Sequence, residues 1–163
     1  MVTLKNILSI IFLIIGSFLL WALFNITKRL ALFNLNFFWH DIKYYTLLLV
    51  SIFFIISSLL IYLKIKTGVY LAYISLVFMM IIALNKLIAD NILKVENENS
   101  SLVDISAFLM YLVLFLFLKS NKIKISFGIT NGKFFFSIFV GILISIPNIL
   151  EYWNWQIILK NTL

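Results

Sequence analysis

The sequence contains no cysteine. That excludes a disulfide framework, an iron–sulfur cluster, a thiolate zinc site, a CxxC redox pair and a cysteine nucleophile. Histidine occurs once, as His40, so neither a bis-histidine haem nor an HExxH zinc site can be built from this chain alone. The five glycines (Gly16, Gly68, Gly128, Gly132 and Gly141) are too scattered to form a phosphate-cradling loop. No metal, nucleotide or other cofactor is expected. Charge is the other scarcity: Asp, Glu, Lys and Arg make up 12% of the chain, about half the usual share.

What is abundant is apolar surface. Of 163 residues, 64% are hydrophobic, and the mean hydropathy is +1.13. A 19.0 kDa chain folded in water leaves much of its area exposed and needs far more polar cover than this. Both a soluble globular domain and a disordered chain are excluded. The net charge of +7 does not indicate a nucleic-acid binder, because the basic residues fall in ones and twos between apolar runs, as in loops at an anionic lipid surface.

About 20 mostly apolar residues span the hydrocarbon, and about 17 suffice. Five segments approach that length: 6–27, 44–63, 67–85, 102–118 and 134–150. The expected fold class is therefore an all-α polytopic membrane bundle of about five helices, a single domain over residues 1–163 with short loops. The first run exceeds the roughly 7–15 apolar residues of a signal peptide and has no A-x-A site after it, so it is read as a retained helix.

Five crossings sort the charges. Lys5, Lys64, Lys66, Lys119, Lys122, Lys124 and Lys133 fall on one side with no acid. All six acids fall on the other with Lys28, Arg29, Lys43, Lys86, Lys94 and Lys160. Trp21, Trp39, Trp153 and Trp155 also gather near the acidic side, where indoles favour the headgroup region. The basic side is expected to be cytoplasmic or its organellar equivalent, with the N-terminus inside and the C-terminus outside a bacterial cytoplasmic or organellar inner membrane.

The connections carry the remaining candidates. Residues 25–43 are too apolar for an aqueous loop and suit an interfacial connector, with His40 beside Asp41 as a candidate pH-responsive pair. Lys86, Asp90 and Lys94 recur every four residues, extending the third helix beyond the bilayer. A polar turn over 96–101 follows, and Ser101 with Asp104 forms an S-x-x-D start for the fourth helix. Asp90, Glu96, Glu98 and Asp104 lack the spacing of a calcium loop and are read as solvated. Residues 119–133 alternate Lys and Ile and reach Asn131-Gly132, which predicts a short ribbon at the surface. Lys119, Lys122, Lys124 and Lys133 are candidate lipid-headgroup contacts there.

No ionisable residue lies at mid-depth of any proposed span, where pumps and proton relays usually place one. Gly141 and Ser145 form a small-xxx-small pair suited to helix packing, and Pro147 is expected to end the fifth helix ahead of Asn148. Beyond it, Trp153 and Trp155 mark an interfacial tail or partner contact. Membrane lipid and other membrane-protein subunits are the expected partners. The inventory favours a non-catalytic accessory, assembly, immunity or structural subunit. A small transporter or channel with an uncharged Ser/Tyr/Asn-lined path is the second reading, and a lipid-active enzyme using His40 and Asp41 the third.

Overall fold

In the computed structural model, the backbone is described for residues 4–32, 42–93 and 98–162, and side chains within 4–25, 45–89 and 102–153. All regular structure among these residues is helical: α1 (Leu4–Leu32), α2 (Ile42–Tyr62), α3 (Lys66–Leu93), α4 (Glu98–Leu118), α5 (Asn121–Phe127) and α6 (Asn131–Thr162). Stretches of α1, α2, α3 and α6 are long and apolar enough to cross a bilayer. The fifth candidate is α4 taken with α5 across a 57° bend. A backbone surrounded by apolar side chains must satisfy its own N–H and C=O groups, which favours continuous helices despite the many β-branched isoleucines.

α1 and α2 form an antiparallel pair. The Ser9 hydroxyl donates to the Ser58 carbonyl and the Ser58 hydroxyl to the Ser9 carbonyl, each at 2.8 Å. Phe12 stacks on Phe54 at 5.8 Å one turn further along, and Gly16 brings its backbone close to the Ser51 carbonyl. α2 turns into α3 through a Schellman motif: Lys64 N–H bonds to Ile61 O (3.0 Å) and Ile65 N–H to Leu60 O (2.8 Å). Lys64 occupies the left-handed position at φ 59°, a conformation that costs an L-residue roughly 1–2 kcal/mol.

α3 is the central helix, packed against α2, α4 and α6. α4 runs antiparallel to it, as Tyr73 meets Phe115 and Lys86 meets Asp104. α6 runs parallel to it, with Phe134 beside Tyr73, Gly141 against Ile74 and Val77, and Trp153 beside Asn85. The core joins Leu8, Phe12, Phe54, Ile61, Val69, Tyr73 and Leu76, all fully buried.

Four local expectations are corrected. α1 does not stop at Thr27 but runs to Leu32, since Lys28 and Arg29 are good helix formers with no glycine or proline beside them. Residues 25–32 of the expected interfacial connector are therefore helical. Ser101 does not start α4, which already includes Glu98; Asp104 pairs with Lys86 at 2.7 Å instead. Residues 119–133 form no ribbon: α5 buries Ile123 and Phe127, four residues apart, while Ile125 is 81% exposed. The Asn131-Gly132 pair opens α6 rather than a hairpin. Finally, Pro147 lies inside α6, which continues to Thr162. Proline removes only one donor, and side-chain bonds from Asn148 to α2 and from Trp153 to α3 hold the helix beyond it.

Candidate functional site

The polar side chains gather at the two ends of the bundle. At the end where α2 begins and α3 finishes, Asn148 donates its amide to the Thr46 hydroxyl, and Trp153 Nε1 donates to Asn85 Oδ1 at 2.9 Å. The Lys86–Asp104 ion pair lies near this end, with Asp104 mostly buried and Lys86 partly exposed. These three contacts join α2 to α6, α3 to α6 and α3 to α4. In each of the three, a polar side chain meets a partner on another helix, the arrangement buried polarity favours.

The opposite end is basic. Lys5 donates to the Tyr62 carbonyl at 3.2 Å and lies over the Tyr62 ring at 5.3 Å. Lys64 follows in the α2–α3 turn. Lys124 lies over the Phe134 ring at 5.5 Å, and Lys119, Lys122 and Lys133 are exposed. Tyr70 closes the loop before α6 by accepting the Thr130 N–H at 3.2 Å. A cavity of about 390 Å³ opens here between the start of α1 and α5; Lys5, Lys64, Ser126 and Phe127 are among its lining residues.

Between the ends, hydroxyls bond mainly to backbone. Ser51, Ser57, Ser75, Ser137 and Ser145 donate to Leu47, Phe54, Leu71, Lys133 and Ile142 carbonyls of their own helices, the usual behaviour of serine inside a helix. Tyr73 is the exception, its hydroxyl buried without a hydrogen-bond partner among the described residues.

Of the candidates read from sequence, Gly141 sits where an added Cβ would lie 2.9 Å from the Ile74 carbonyl, and Ser145 is fully buried one turn on. Trp153 reaches Asn85 within the chain. His40 and Asp41 lie outside the described residues, as does the Trp155 side chain. Among the described residues, no three His, Asp or Glu side chains are grouped to hold a metal ion. Sequence reasoning missed Ser9, Thr46, and the Lys5 and Lys64 pair. Ser9 was legible from its spacing: Ser9, Phe12 and Gly16 share one helical face and meet Ser58, Phe54 and Ser51 in reverse order. No known family model, curated protein or solved structure matches the chain.

Proposed function

We propose that this chain is a small integral membrane protein without catalysis of its own, acting as an accessory, assembly, immunity or structural subunit of a larger membrane complex. In this reading the basic end faces the cytoplasm or its organellar equivalent. The observation that carries the proposal is the extent of uncovered apolar side chain. On α1, Ile10, Ile14, Phe18 and Trp21 are each 54–62% exposed, and on α6, Phe135, Phe136 and Phe139 are 57–67% exposed. A helix apolar all round and left uncovered by its own fold is suited to lipid or to other helices. Aromatic side chains are also the type most enriched where proteins meet.

Two arrangements weigh against the transport reading. The Ser57 and Ser75 hydroxyls, which an uncharged path would use, are fully buried and donate to their own helices. Purification from native membranes in mild detergent, followed by mass spectrometry, is expected to recover a stoichiometric membrane-protein partner. A clean monomer would contradict the subunit assignment. Solute flux through liposomes that is lost in Ser57→Leu or Ser75→Leu would favour the transporter in its place.

A further inference from the structure

Two openings follow one another along a single face of α1. Leu4 and Leu8 line the basic-end cavity, and Ile11 and Ile15 line an open groove of about 630 Å³ against α4. The spacing 4, 8, 11, 15 keeps these residues on one helical stripe. The opposite wall passes from Met110 and Leu114 of α4 in the groove, across the 57° bend, to Ile123 and Ser126 of α5 in the cavity. The groove is almost entirely apolar, with Ser106 the one polar residue among those lining it. The cavity brings Lys5 and Lys64 together with Ser126 and no carboxylate.

We infer that this combined opening binds one anionic phospholipid, its phosphate between Lys5 and Lys64 and an acyl chain along α1 and α4. The inference rests on the chain being membrane-embedded, as proposed above. Three observations select this occupant. The charge is confined to the end where a headgroup would lie, and it is positive. From Lys5 to Ile15 the helix rises about 15 Å, half of the roughly 30 Å hydrocarbon core, so head and groove match the depth of one leaflet. The third is Lys64 itself. Its left-handed backbone suits glycine best, yet the position carries a lysine that lines the cavity.

Native mass spectrometry of the full chain in mild detergent tests this with phosphatidylglycerol and phosphatidylcholine of identical acyl chains. One phosphatidylglycerol is expected to be retained in preference to phosphatidylcholine. Lys64→Gly and Lys5→Gln should each reduce that preference about fivefold, the effect of one basic side chain at an anionic headgroup. Glycine fits the turn, so Lys64→Gly should keep or raise the unfolding temperature, which separates lost binding from lost fold. Val113→Trp, filling the groove, should lower retention of both lipids. Equal retention of the two lipids, or undiminished phosphatidylglycerol preference in Lys64→Gly, would overturn the site. So would stoichiometric crosslinking of Met110→Cys to a second polypeptide. Extraction of the chain from membranes by alkaline carbonate would remove the membrane assignment itself, whereas a carbonate-resistant chain with no lipid preference removes only the site.

Discussion

α1 and α3 are both long apolar helices, but they are held in opposite ways. In its most apolar stretch 56% of the α3 residues are buried, against 28% for α1. α1 makes its contacts mainly with α2, through a short motif of Ser9, Phe12 and Gly16 read against Ser58, Phe54 and Ser51. α3 meets each neighbour differently: by the Gly68 turn with α2, by an ion pair and aromatic edges with α4, and by Gly141 and the Trp153–Asn85 bond with α6. Helices that are apolar on every side are told apart by close packing and interhelical hydrogen bonds. The central helix uses both with several partners, whereas the peripheral one spends them on a single partner and leaves its other faces open.

The sharpest way to break this contrast is at Gly141. Valine there places a Cβ against the Ile74 carbonyl and Val77, and backbone cannot yield as a side-chain end can. Gly141→Val should destabilise the protein by about 1–3 kcal/mol, measured by thermal unfolding in detergent, with loss of the Trp153 environment seen in its fluorescence. A smaller effect of opposite sign is expected at Tyr73. Phenylalanine keeps the edge contacts with Phe115 and Phe134 and removes a buried hydroxyl without a partner, so Tyr73→Phe should raise stability by about 1 kcal/mol. The smallest change belongs to the seam between α1 and α2. Ser58→Ala leaves the Ser9 hydroxyl its bond to the Ser58 carbonyl and should cost about 0.6 kcal/mol, near the average for a polar contact between membrane helices. A loss from Ser58→Ala equal to that from Gly141→Val would show that α1 is as integral as α3.

Much of the fold was legible because long apolar runs bounded by lysines offer the backbone no polar partner but itself, and a helix pairs every internal N–H and C=O. Each of the five predicted segments lies largely within one of the five long helices. The failures share a cause: local patterns were read without the contacts that override them. Lys-Ile alternation over 122–125 matched a strand period, yet Ile123 and Phe127 were the residues with a surface to bury. Pro147 looked terminal because the bonds that carry α6 past it come from Thr46 and Asn85, far away in the chain. Ser101 and Asp104 matched a capping pattern, but Asp104 had a nearer charge in Lys86. The basic cavity was only half legible. Its lysines were sorted to one side by span counting, but the stripe that joins them to the α4 groove exists only once α1, α4 and α5 are placed together.

The parallel course of α3 and α6 also bears on how the molecule is assembled. Aligned helix dipoles do not attract, so this seam depends on fit, and its contacts are long-range in sequence. Thr130, Trp153 and Asn148 bond to residues 60, 68 and 102 positions earlier. α1, α2 and α3 are joined by sequential antiparallel contacts and can associate as they emerge, since short loops close at lower entropic cost than long ones. α6 therefore joins partners that lie far from it in sequence, and a glycine facing Ile74 and Val77 is what lets its backbone come close to α3.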